Sequence, residues 1–116
     1  MNYGVISPDE LDKLSDPIGS LFQIRKAQDG SFDDIFGFYP RECNSVNPPV
    51  FINFGMNEQI EVGDLLFNAK VGELTVKSVE MKYLVKNDPA TLQQFAYVQS
   101  PPLTIRADVP CRAPNT

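Results

Sequence analysis

The sequence predicts a mainly β protein, a small β-barrel of about six or seven short strands with one short N-terminal helix. Three observations lead there. From Ile18 onward apolar residues recur with a period of two, as in Phe22 and Ile24 set against Gln23 and Arg25. Turn signals separate the alternating runs, at Asp29-Gly30, Lys70-Val71-Gly72-Glu73 and Asn87-Asp88-Pro89. Between Leu74 and Val85 the apolar parity shifts by one residue, so both halves face one core only if a bulge sits at Lys77-Ser78. Bulges bend strands, and a bent strand lets a small sheet close on itself. A chain of 116 residues suits one domain: residues 1–17 form an N-terminal helix and arm, 18–100 the barrel, and 101–116 a proline-rich C-terminal strand and tail.

The helix starts at Ser7-Pro8-Asp9-Glu10, where Ser7 caps, Pro8 takes the first helical position and Glu10 completes a capping box. Leu11 and Leu14 give it one apolar stripe, and Ser15-Asp16-Pro17 ends it. It is expected to cover one end of the barrel. The first hairpin joins the Phe22/Ile24 strand to Ile35-Phe36-Gly37-Phe38 through the Asp29-Gly30 turn. A polar loop from Pro40 to Pro49 follows, and then Val50, Ile52 and Phe54 alternate with Phe51 and Asn53.

The aromatics Phe36, Phe38, Tyr39, Phe51 and Phe54 are expected to supply core, with Phe51, on the opposite parity, facing a partner. Next comes the hairpin Gln59–Tyr83, with Leu65 and Phe67 on one face of its first strand and Leu74 and Val76 on one face of its second. Leu92 to Val98 reads as a further strand, and Pro101-Pro102 interrupts it. Beyond that break Leu103, Ile105, Ala107 and Val109 alternate with Thr104, Arg106 and Asp108, an apolar strand face that needs a sheet to cover it.

Charge and residue types narrow the function. The formal net charge is −5, and the ten Lys and Arg residues are scattered singly apart from Arg25-Lys26, so no cationic cluster exists to grip phosphates. There is no histidine, which removes the commonest general base and metal ligand. The adjacent acids Asp33 and Asp34 point to opposite faces if they lie in a strand, which argues against a catalytic dyad. The run Asp29-Gly30-Ser31-Phe32-Asp33-Asp34 lacks the ligand order of a calcium loop, and two lone cysteines make no zinc site.

No catalytic, cofactor-binding or metal-ligating residue is therefore expected, and the protein reads as a non-enzyme. The N-terminus carries no signal-peptide pattern, and no apolar run is long enough to span a bilayer. Cys43 and Cys111 lie in proline-containing loops and pair only if those loops meet; a reducing compartment is the expectation. Gly63-Asp64 reads as a structural corner, glycine for the bend and aspartate to accept backbone amides as the next strand starts.

The layout Pro49-Val-Phe-Ile-Asn-Phe54, a short polar link, Ile60-Glu-Val-Gly-Asp-Leu65, a brief turn and Leu74-Thr-Val-Lys-Ser-Val79 resembles the head–tail joining, or head-closure, proteins of tailed bacteriophages. Phe32-Asp-Asp-Ile-Phe-Gly-Phe38 and the short N-terminal helix follow the same order, and the likeness covers about residues 20 to 85. The proline-rich C-terminal segment departs from that pattern.

The resemblance implies a structural virion protein: a small barrel that assembles as a homo-oligomeric ring between portal and tail, made in the host cytoplasm and carried in the virion. Its partners would be other virion proteins, with no sequence-specific nucleic acid and no membrane. An acidic ring also suits a passage for DNA, since it does not hold the polyanion. The expected contact residues are Asp29, Asp33 and Asp34 in the first loop, Phe51, and Leu103 and Ile105 in the tail. Two alternatives stay open: a capsid decoration or tail-terminator protein, and a small cytoplasmic barrel that binds a peptide or apolar ligand through Phe36, Phe51 and Tyr83.

Overall fold

A computed structural model describes residues 3–101. In chain order the elements are β1 (Gly4–Val5), α1 (Pro8–Lys13), β2 (Pro17–Arg25), β3 (Phe32–Pro40), β4 (Phe51–Phe54), β5 (Leu65–Asn68), β6 (Gly72–Tyr83), a 3-10 turn (Pro89–Thr91) and β7 (Leu92–Gln99). Around the sheet the order is β6-β5-β2-β3-β4-β7, and β7 returns to pair with β6. Six antiparallel strands thus close a barrel, and β1 adds to it as a parallel neighbour of β6, Gly4 opposite Lys82. The fold class read from the sequence is the one observed.

Closure depends on the long strand β6. Its first residues pair with β5, Leu66 opposite Leu74, and the rest pairs with β7, Val79 opposite Ala96. The register slips between Val76 and Ser78, the expected bulge. Because of that extra residue, Leu74 and Val76 before it and Val79 after it all contribute to one core. That core also holds Phe22, Ile24, Ile35, Tyr39, Ile52, Phe54, Leu66, Ala96 and Val98, with Cys43, Ile60 and Val71 reaching in from loops. Phe22 meets Tyr39 and Phe54 edge to face, with ring centroids 5.7 and 6.1 Å apart.

Several expected orientations are reversed. Phe36 and Phe38 are exposed rather than core, because Phe22 pairs with Ile35 and so turns the odd residues of β3 inward. On β5 the inward residues are Leu66 and Asn68, which leaves Phe67 half exposed. Phe51 does not face a partner: it is 1% exposed, in a second cluster with Phe95 and Ile6 on the outer side of the wall. What covers it is the chain's own N-terminal segment.

That segment packs against the side of the barrel and not its end. The capping box forms as predicted, the Glu10 amide donating to Ser7 Oγ at 3.1 Å and the Ser7 amide to Glu10 Oε1 at 3.2 Å. Leu14 packs on the Phe51–Phe95 cluster, whereas Leu11 is exposed. A polar latch completes the docking. Tyr97 donates its hydroxyl proton to Glu10 at 2.6 Å, and Lys82 Nζ donates to Tyr97 at 2.7 Å and to Glu10 at 3.1 Å. Burial raises the Tyr97 phenol, and the Glu10 carboxylate raises it further, to about 12.

Two glycines show where backbone is held close to rings. A Cβ on Gly37, inside the barrel, would lie 2.6 Å from the Phe54 ring and 2.8 Å from Ile52. One on Gly19, on the outside, would lie 2.5 Å from the tip of the exposed Phe36 ring. Gly37→Ala is expected to cost about 1–3 kcal/mol in chemical denaturation, since the core around it cannot give way. Gly19→Ala should cost under about 1 kcal/mol because Phe36 can swing into solvent; equal costs would contradict this packing.

For the latch, Tyr97→Phe should remove about 1–2 kcal/mol. The wild-type phenol, held above its unfolded value of about 10, destabilises the fold as pH rises from there towards 12. The variant's stability profile should be flatter over that alkaline window.

Candidate interaction surface

The Gly63-Asp64 corner is a densely hydrogen-bonded polar site. Gly63 has φ +94°, a conformation that side chains rarely adopt, and it turns the 59–64 crossing back into β5. Asp64, fully buried, then accepts from the amides of Ala27 and Glu61, each at 2.9 Å, and from Lys26 Nζ. Lys26 also donates to the Gln59 carbonyl and to Glu61, both at 3.1 Å. Burial alone raises the Asp64 carboxyl, but Lys26 and the two amides outweigh it and hold the group below the ordinary carboxylate range. This is a joint between the β2–β3 turn and the crossing segment, and the structural corner expected of Gly63 and Asp64 is what is found.

The outside of the β5-β2-β3 wall is different in kind. Leu21 and Phe32 are each 62% exposed, Phe67 50% and Phe36 48%. Cross-strand registers place them side by side: Leu21 lies opposite Phe36, Gly19 opposite Phe38, Arg25 opposite Phe32, and Gln23 opposite Phe67. Because Gly19 has no side chain, the Phe36 and Phe38 rings settle over it and meet edge to face with centroids 5.2 Å apart. A groove of about 340 Å³ runs along this face between Arg25, Phe32, Leu65, Phe67 and Glu73.

An acidic cleft of about 470 Å³ adjoins it, lined by Asp29, Asp33, Asp34, Glu58 and Glu61, with Lys26 among them. Here β3 has an open flank. It pairs with β2 along all nine residues but with β4 only at Gly37 and Phe38. The Phe36 amide is met by the Glu58 carboxylate at 3.3 Å, and the Asp34 amide by Asp33 at 2.8 Å. Asp29 serves its own turn, accepting from the Ser31 amide and hydroxyl at 2.9 and 2.7 Å. Those bonds, the hydroxyl's first, keep its carboxyl below the ordinary range.

Of the contact residues expected from sequence, Asp29, Asp33 and Asp34 therefore converge on one cleft, and Phe51 is removed from the set. Leu103 and Ile105 lie outside the described residues, as does Cys111 and with it the question of its pairing with Cys43, which is itself buried in the core. Leu21, Phe32, Phe38 and Phe67 join the surface without having been expected there. Among the described residues no group of acids and cysteines could hold a metal ion, and no helix is long and apolar enough to cross a membrane. No family model matches the chain, and comparisons with curated proteins and with solved structures find no match.

Asp64→Asn should cost about 3 kcal/mol or more, because Lys26 and two amides lose a buried anionic acceptor. The wild-type carboxylate contributes fully above about pH 4, and its contribution is lost as pH falls through its lower folded value. The loss in the variant, read by urea denaturation, should therefore be large at neutral pH and shrink in strong acid.

Proposed function

We propose that this chain is a non-enzymatic assembly protein, a structural virion component of the head-closure kind that its sequence resembles, joined in a ring with its own copies. The observation that carries the assembly reading is the apolar outer face formed by Leu21, Phe32, Phe36, Phe38 and Phe67. Monomeric soluble proteins seldom leave contiguous aromatic and aliphatic surface of this kind uncovered. Its composition, aromatic at the centre and charged at the rim, is that of protein–protein contacts.

The same geometry speaks against a barrel that takes a ligand inside. Phe22, Tyr39, Phe54, Leu66 and Leu74 fill the interior and are at most 1% exposed. Of the residues first considered for ligand contact, Phe51 is buried against the N-terminal segment, and Phe36 points outward. A capsid decoration or tail-terminator protein would also be a non-enzymatic assembly protein, and its neighbours would differ. The acidic net charge supports a component that DNA passes without adhering.

Sedimentation velocity across a wide concentration range tests the assembly reading. Species larger than the 12.9 kDa monomer are expected. Leu21→Ser with Phe36→Ser should weaken association at least about tenfold while leaving the circular dichroism spectrum unchanged. A strictly monomeric protein at hundreds of micromolar would overturn it. The virion component is tested by gene neighbourhood: a portal or major capsid gene alongside is expected, and a cellular operon without either would count against it.

A further inference from the structure

We propose that the segment 102–111 is strapped across the apolar outer face of its own barrel by a disulfide between Cys111 and Cys43, and that this strap controls when the face can receive another copy. The strap stands on the chain's own geometry, and its consequence rests on the assembly reading above.

The anchor lies in the core. Cys43 is fully buried and disulfide-bonded, and the sequence holds one other cysteine, Cys111. The Cys43 amide donates to the Pro40 carbonyl at 3.1 Å, so the anchor sits in the turn that leaves β3. The link from barrel to anchor therefore starts at Gln99, where β7 stops beside Thr75, and has twelve residues in which to reach Cys43.

Two ways lead there. Across β4 the way is two strand spacings, about 10 Å, or about three residues of extended chain. That route leaves most of the link unused, and the outer side of β4 and β7 is already taken, with Phe51 and Phe95 packed against Ile6 and Leu14. The other way crosses β6, β5 and β2. Paired registers run level from Gln99 through Thr75, Leu65 and Arg25 to Phe32, four spacings or about 19 Å. From Phe32 down β3 to Pro40 is about 26 Å, so the diagonal from exit to anchor is about 32 Å, or about ten extended residues. The link is long enough with little to spare.

That diagonal crosses the surface the segment needs. It passes Phe67 on β5, Leu21 and Gly19 on β2, and Phe38 on β3, which is the exposed apolar face. Spaced evenly along it, Leu103 falls near Phe67, Ile105 and Ala107 near Leu21, and Val109 near Phe38. Alternation then turns Thr104, Arg106 and Asp108 to solvent. Pro101 and Pro102 lack amide donors, so this is where the chain can give up its pairing with β6 and cross the wall instead.

Redox chemistry sets the strap. The two thiols give two protons and two electrons to one low-molecular-weight disulfide, such as oxidised glutathione, which leaves as two thiols. In a reducing compartment the bond stays open and the face is available to another copy. Under oxidation the strap competes for Leu21 and Phe36.

The test uses the full chain, oxidised, with the photo-reactive residue p-benzoylphenylalanine at position 105, in nitrogen-isotope-labelled and unlabelled forms mixed before irradiation. Non-reducing peptide mapping should join the peptides of Cys43 and Cys111 within one chain, and position 105 should cross-link within one chain to residues 19–21 or 67. In sedimentation velocity, Cys111→Ser, and the wild type kept in dithiothreitol from lysis onward, should associate at least tenfold more tightly than the oxidised chain. Leu21→Ser with Phe36→Ser, added to Cys111→Ser, should cancel that gain; if Cys111→Ser unfolds, the reduced wild type and the cross-link map decide. Interchain disulfides, or cross-links confined to the β4 side or the loops below the barrel, overturn this inference and leave the assembly reading standing. Equal association of oxidised and reduced chains overturns the control by the strap. A chain that is monomeric in both states, with its cross-links on the face, overturns the assembly reading and leaves the strap.

Discussion

The buried Asp64 carboxylate is the contact on which barrel closure depends. The 59–64 crossing has to pass beneath the barrel and deliver β5 in register, and the Ala27 and Glu61 amides at that bend both find their acceptor in this one side chain. The corner's backbone carries the order further. Gly63 donates to the Val76 carbonyl at 2.8 Å, and Val76 donates to the Asp64 carbonyl at 2.9 Å. These bonds continue the β5 ladder by one step, to the residue just before the bulge, where β6 turns its pairing wholly to β7. Corner and bulge are thus adjacent parts of one device. A buried acceptor satisfied by a lysine and two amides fixes where β6 bends, and that bend is what lets β7 come home.

The wall so closed has two outer faces treated in opposite ways. Over β4 and β7, Phe51 and Phe95 are covered by Ile6 and Leu14, and the Glu10–Tyr97–Lys82 latch anchors that cover. Over β5, β2 and β3, nothing among the described residues does the same for Leu21, Phe36 and Phe67. An uncovered apolar face beside an acidic cleft is then the natural place for another chain.

Much of the fold was legible in the sequence because periodicity reports it directly. The parity slip between Val76 and Val79 could only be a bulge, and Ser7-Pro8-Asp9-Glu10 could only start a helix. Which face each strand turns inward was harder, because β3 and β4 are apolar on both parities. A signal did exist. The Asp29-Gly30 turn sets Arg25 against Phe32, and counting back from it sets Phe22 against Ile35, so the even aromatics of β3 had to point outward. Phe51 was misread for a complementary reason: its parity is outward, as expected, but which outward surfaces the chain itself covers depends on tertiary docking that no local pattern encodes. The corner role of Gly63 and Asp64 was readable, whereas the choice of Lys26 as partner, far away in sequence, was not.

A closed barrel leaves few strand edges, and the partial opening along β3 is one of the places, with residues 17–22 of β2, where pairing to a neighbour lapses. Asp33 and Asp34 lie on the open strand and Glu58 stands against it, so the edge is guarded by like charges. Two such edges brought together from two copies would set these acids against each other and leave them unpaired. Symmetric edge-to-edge pairing, the usual route to aggregation, is therefore disfavoured by these residues. A contact between unlike surfaces, one end of a subunit against the other end of the next, does not saturate in a dimer. It propagates until the rotation between neighbours closes a ring or continues as a filament.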